Sequence, residues 1–488
     1  MKEIKLIGIL KTFDKEELKS FRKFLYSPFI KSRRNIEALL INIIPFHPEF
    51  DSDKMESKII FKKIFPGEVY DEKKLNNLIV DLTRAAKDFI IHLTIEEDET
   101  ESLLFLLKGF YKRKLLKSNF TLLKSTEEKL IPGFSNSTQS DYFAKFRQIN
   151  FLKTSYYADE NEFEKLMDCE SKYFDASATQ FIVDCTQFKS ARSASENTHG
   201  KKIGNKFTES VLKCFDMDKL IKLTENEDNL NSSLITLHYY RLKTNEHPED
   251  VSHYYNLKNY FYKIMPGIGR EEKHFTFSHL ENYCVSKVEE RNVNFIKEGL
   301  ENFKSMLENG GYSFSENEYM QILTFRNIIL FWIMSEDTEW IKFFIEKYSS
   351  VLNPDYRNDM INFAMANYFF KKKDYESALS CISGKFKHEF FLFKTDVKNL
   401  LLKIYYELGN IEQAYSLVDS YKHFLSSTKE ITEIYLKRYE KFLKYYFYLL
   451  RIKSGQSKEK PAFILSKIEK EDKINNKKWL LEKAAELN

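Results

Sequence analysis

Three residues late in the chain recur at a constant interval. Met365, Phe369 and Ala378 return as Leu401, Tyr405 and Ala414, each pair 36 residues apart. A fixed period of this length marks stacked helical hairpins, each of which buries a face only by leaning on its neighbours. Composition points the same way. The 488 residues include only 14 glycines and 9 prolines. Sheets, tight turns and phosphate loops consume those residues, whereas long helices exclude them. The fold is therefore expected to be all-α. A chain this long exceeds one compact core, so several cooperative units or one extended array are expected.

Helix punctuation divides the chain into an N-terminal four-helix domain (1–95), helical hairpins ending in a polar loop (96–206), and a long helical array (207–488). In the first part Asp14 and Glu17 have the spacing of a capping box, with Phe13 and Leu18 placed as a hydrophobic staple. Ser27-Pro28 closes that helix. Helices over about 34–44 and 54–65 stop at Pro45 and at Pro66-Gly67. A fourth begins after Asp71 and carries Leu75, Leu78, Ile79, Leu82, Ala86, Phe89 and Leu93 on one stripe. The acidic run Glu96 to Glu101 is expected to break this unit from the next. Ile131-Pro132-Gly133 reads as a connection between helices. Residues 190–206, SARSASENTHGKKIGNK, have almost no apolar side chains and read as a mobile loop. Further helix starts are expected at Ser315/Glu318, Asn353-Pro354 and Ser427/Glu430.

Residues 360–425 resemble the tetratricopeptide repeat (TPR) family. One copy reads Met365-Ala366 with Phe369, then Ala378 and Ile382. The next reads Leu401-Leu402 with Tyr405, then Ala414 and Val418, with Leu408-Gly409-Asn410 at the turn. A third copy around Trp332 and Ile341 aligns loosely. The family's Trp position holds Asn362 and Lys398, and its terminal Pro position holds Phe390 and Ser426. The resemblance implies an α-solenoid of helical hairpins. The whole chain also resembles long helical proteins of Bacteroidota-type bacteria, a group without an assigned activity. Phe13 to Pro28, Ile64-Phe65-Pro66-Gly67 and Lys478-Trp479-Leu480-Leu481-Glu482-Lys483 carry that likeness.

Signs of chemistry are sparse. There is no G-x-x-x-x-G-K-[ST], no G-x-G-x-x-G behind a strand, and no G-x-S-x-G. Pro266-Gly267-Ile268-Gly269-Arg270 is glycine-rich but reads as a helix-breaking loop. His274 and His279 are five apart, His247 and His253 straddle a proline turn, and His388-Glu389 lacks a second histidine at metal-binding spacing. Five scattered cysteines without a C-x-x-C read as reduced, mostly buried thiols. No catalytic, cofactor-binding or metal-ligating residue is nominated, no cofactor is expected, and a catalytic role is not.

Charge is nearly balanced, 76 basic against 72 acidic residues. The densest basic stretch, including Lys31, Arg33 and Arg34, lies within the first 35 residues. The longest apolar run, Ile328 to Met334, is far short of the ~18 residues of a membrane span. The N-terminal run lacks a signal-peptide core. No membrane partner is expected, and the cytoplasm is the expected compartment. The leading expectation is a scaffold that holds a partner-protein segment in a helical-repeat groove. The alternative is a nucleic-acid-linked regulator, with a helix-turn-helix-like unit at about 54–92 and a repeat sensor domain. Against it, residues 54–92 carry eight Lys/Arg and six Asp/Glu, and a dedicated binder of nucleic acid needs a basic face.

Overall fold

The computed structural model describes residues 4–30, 34–133, 139–199, 204–214, 216–224, 230–290, 292–315, 318–335, 337, 339–384, 390–428, 433–457, 459–471 and 473–487. These residues are all-helical. Their only extended pairing is an isolated bridge between Met320 and Leu352. The chain divides into two compact units, Met1–Ile131 with Lys145–Glu170, and Pro132–Ala144 with Ser171–Asn488.

In the first unit the helices Lys5–Leu10, Lys15–Phe24, Ile36–Ile43 and Ser57–Ile64 each pack on the long helix Glu72–Glu97. That helix presents Leu75, Leu78, Leu82, Ala85, Ala86 and Phe89 to a common core. The rings of Phe13, Phe21 and Phe89 meet there at 5.3–5.7 Å. The capping box forms as read: Asp14 Oδ1 accepts from Glu17 N at 2.8 Å, and Glu17 Oε2 from Asp14 N at 2.7 Å. Phe13 and Leu18 are both buried. Asp71 caps the long helix through Lys74 N. The acidic run is a helix junction, where Asp98 caps Glu99–Lys112 and also takes the Lys145 ammonium at 2.5 Å.

The helix Lys5–Leu10 escaped the sequence reading. Its six residues are too few to display a period, yet Leu6, Ile7 and Leu10 are all buried. The connection expected at Ile131-Pro132-Gly133 is instead the last turn of the helix Phe120–Gly133. The polar stretch 190–206 is likewise not a loop over most of its length. The helix Phe163–His199 runs through it. Serine, alanine and glutamate without proline or glycine oppose a helix only weakly, so low hydrophobicity alone did not end it.

In the second unit, helices adjacent in sequence pack as pairs. Leu230–Glu246 packs with Val251–Ile264, Arg270–Glu289 with Asn294–Glu308, Arg357–Lys371 with Tyr375–Ile382, Phe391–Leu408 with Ile411–Ser427, and Pro461–Lys470 with Lys477–Glu486. Alternate helices also touch: Ile322–Met334 meets Arg357–Lys371, which meets Phe391–Leu408. Asn294–Glu308 and Ile322–Met334 approach closely at Gly299. A Cβ on Gly299 would lie 2.6 Å from Phe331 Cδ1, so glycine is what admits the ring.

Two expected helix starts are displaced. Glu318 accepts from Phe314 N, but the helix begins later, at Ile322. Asn353 Oδ1 accepts from Asp355 N, closing a turn ahead of the helix at Arg357. Glu430 lies outside the described residues; the helix that follows is described from Glu433 to Lys453, and two more come after it. A side-chain acceptor satisfies a tight turn as well as a helix end, so the motif fixes a change of direction rather than its product.

Candidate partner-binding surface

The two copies of the 36-residue register correspond helix for helix. Arg357–Lys371 followed by Tyr375–Ile382 matches Phe391–Leu408 followed by Ile411–Ser427. Ala366 and Leu402, Tyr368 and Ile404, Ala378 and Ala414, and Ile382 and Val418 are all buried. Ala378 and Ala414 are wholly inaccessible, where a small side chain lets paired helices approach. Met365, Phe369, Leu401 and Tyr405, four of the six residues of the 36-residue register, are only half-buried. Their sequence neighbours Tyr368 and Ile404 are the more deeply buried.

The turns repeat as well. Lys373 (φ 62°) and Gly409 (φ 74°) are both left-handed. Asp374 N donates to Phe369 O at 3.0 Å, and Asn410 N to Tyr405 O at 2.9 Å. This closure satisfies carbonyls that a helix end leaves without partners. The loosely aligned third copy joins the row through its rings. Trp332 stacks on Tyr368 at 6.5 Å, and Phe325 meets Phe344 at 5.2 Å.

Cations gather where these helices end. Lys371 Nζ donates to Trp332 O at 3.1 Å and Ser335 O at 2.5 Å. Lys453 Nζ donates to Tyr406 O and stands 4.2 Å from its ring centre. Both occupy the negative end of a neighbouring helix. Glu407 accepts from Trp479 Nε1 at 3.1 Å and pairs with Lys483 at 3.0 Å, tying the helix Lys477–Glu486 to Phe391–Leu408. Burial pushes Lys403 down to about 8, although Asp396 and Glu407 pull it upward. Its ammonium lies 5.0 Å from the Phe370 ring centre.

The residues weighed for chemistry are scattered. His274 Nδ1 faces Gly311 O at 2.9 Å, whereas His279 Nε2 faces Thr244 Oγ1 at 2.5 Å. Burial and then Arg241 push His279 down to about 3. His247 and His253 adjoin each other and pair with Glu249 and Asp250. His388-Glu389 lies outside the described residues. Pro266 and Gly267 form a 3₁₀ turn before the helix that starts at Arg270, a helix break as read. Among the described residues no group of three or more His, Cys, Asp or Glu has a metal-holding arrangement. No described helix is long and apolar enough to cross a membrane.

The sequence reading missed a buried ionic cluster. Glu272, 2% exposed, binds Arg241 Nη1 at 2.7 Å and His238 Nε2 at 3.2 Å. Burial alone would raise its pKa, but His238 and Arg241 outweigh that and hold it at about 2. Thr276 Oγ1 adds a bond at 3.3 Å. Glu272, Thr276 and His279 follow i, i+4, i+7 spacing, the one available hint of a polar seam. Glu281 is as deeply buried, yet its Oε1 has no hydrogen-bond partner among the described residues. Burial pushes its carboxyl well above the ordinary range. The satisfied cluster joins two helices, and Glu281 lies outside it. No family model, curated protein or solved structure matches the chain.

Proposed function

We propose that the chain is a non-catalytic scaffold of the cytoplasm, whose C-terminal helix pairs form a TPR-like α-solenoid that holds a segment of a partner protein. The observation that carries this reading is the half-buried set Met365, Phe369, Leu401 and Tyr405. Core packing accounts for a repeat among buried positions. Although Tyr405 also packs on the C-terminal core, core packing does not by itself account for large apolar side chains kept partly exposed in the same register. Such a series offers regularly spaced apolar contacts to an extended or helical segment. The ion-paired Lys483 and Glu407, and the carbonyl-bound Lys371 and Lys453, rigidify the helix ends and are already occupied.

The test is affinity purification of the full chain from its native cells, beside a Phe369→Ser/Leu401→Ser variant whose melting is checked in parallel. A partner retained by the parent chain and lost from the folded variant supports the scaffold. An identical set of partners on both, or turnover of a metabolite by the pure protein, removes it.

A further inference from the structure

The first unit carries a surface cleft of about 360 Å³ between the helices Lys5–Leu10 and Glu72–Glu97. Leu6, Ile79 and Val80 form its floor, and Lys5, Arg84 and Lys87 its rim. Thr83 also lines it, but its hydroxyl is committed to Ile79 O at 2.6 Å and leaves only a methyl group for a ligand. Val80 is 55% exposed and Ile91 57%. Eleven residues are about three helical turns, so Ile91 lies on the same helix face as Val80, with Arg84 and Lys87 between them.

The rim is only partly neutralised from within: Arg84 pairs with Asp81 Oδ1 at 3.7 Å, while Arg34 holds Oδ2 of the same carboxylate at 2.6 Å. Lys5 and Lys87 have no acidic partner among the described residues. Asp88 is exposed, but it is rotated about 100° from Lys87 around the helix axis. An apolar floor beside the two unpaired lysines, Lys5 and Lys87, asks for an occupant that is apolar at its centre and anionic at its edges. A phosphate backbone would leave the floor unused.

We infer that this cleft is a second docking site, which takes an acidic segment of a partner protein presenting one large apolar side chain between carboxylates. The apolar side chain fills the space over Leu6, Ile79 and Val80, and the flanking carboxylates reach Lys5, Arg84 and Lys87. The site is independent of the repeat surface proposed above, since its residues all lie in the other unit.

A displayed library of random peptides, selected on the full-length protein at low salt, tests the inference. Selection should enrich Asp and Glu around Leu, Ile, Phe or Trp. A Lys5→Glu/Lys87→Glu variant should bind the enriched peptides about tenfold or more weakly, and added salt should weaken binding to the parent chain. Val80→Asp should weaken it comparably, with the melting temperature of each variant unchanged. Failure to enrich such peptides overturns the inference, as does enrichment that both variants retain. Salt-sensitive binding of duplex DNA that Lys5→Glu/Lys87→Glu abolishes, without any such peptide, would assign the cleft to nucleic acid instead.

Discussion

Replacing Gly299 by alanine sets two effects of known sign against each other. Gly299 lies inside the helix Asn294–Glu308, where alanine is favoured over glycine by ~1 kcal/mol because it restricts the unfolded chain. Packing opposes the change. The new methyl would sit 2.6 Å from Phe331 Cδ1, about 1 Å inside ordinary carbon–carbon contact. Phe331 is 2% exposed and edge-on to Phe303 at 5.4 Å, so it has no solvent to swing into. Overpacking costs ~1–3 kcal/mol, and a displacement of this size in an enclosed ring belongs to the upper half. The net expectation is a loss of ~1–2 kcal/mol. Urea midpoints of the full chain, with amide exchange over the two helices, would measure it. Phe331→Leu should relieve the clash, making the double variant more stable than the sum of the singles by ~0.5 kcal/mol or more. A raised midpoint for Gly299→Ala, or strict additivity, would refute the close approach.

Lys373→Gly should stabilise the protein by up to ~1 kcal/mol, since a left-handed residue is relieved of its side chain; Lys372→Gly, at φ −81°, should lower the melting temperature instead. Arg241→Ala leaves the buried Glu272 carboxylate underpaired and should cost ~3–5 kcal/mol in chemical denaturation, whereas Arg241→Met/Glu272→Met should recover most of that loss. Glu281 binds its proton more tightly when folded than unfolded, so its contribution is intact below the ordinary carboxylate range and is lost as pH rises towards its folded pKa. Glu281→Gln should therefore gain stability relative to the parent chain as pH rises from 4 to 8, and parallel pH–stability curves would count against a buried neutral acid. His279 runs the other way: its folded pKa of about 3 makes its contribution full above the unfolded value of ~6.5 and lost as pH falls towards 3. His279→Asn should flatten that part of the acid limb in thermal melts.

What the sequence disclosed follows from which physical signals are local. Asp14 with Glu17, and Asp71 before the long helix, are caps made within one turn, and both formed where read. Ala378 and Ala414 sit where small size is itself the signal. Asn353 failed as a helix start because its side-chain acceptor serves a turn equally well, whereas at Ser315 the bonds go to its backbone carbonyl, from Ser313 Oγ at 2.8 Å and Glu318 N at 3.4 Å. The stretch 190–206 misled because it was judged by hydrophobicity, whereas backbone propensity decides a helix of exposed residues. Glu272 and Glu281 look alike in the chain, and only helices distant in sequence determine that one is ion-paired and the other is not. The cleft at Lys5 and Lys87 was equally invisible, since it depends on a six-residue helix that shows no period. Of the proposed repeat surface, the register was legible. Which of its members stay half-exposed was not, because that depends on the neighbouring pair.

The central claim is that the repeated, half-exposed positions receive a partner. Amide exchange of the full chain, alone and with the protein it captures in its own cells, tests this most directly. Protection rising together over residues 365–369 and 401–405, with the exchange of buried Ala378 and Ala414 unchanged, is the predicted result. Protection confined to other helices, with both segments exchanging as in the free protein, would contradict it.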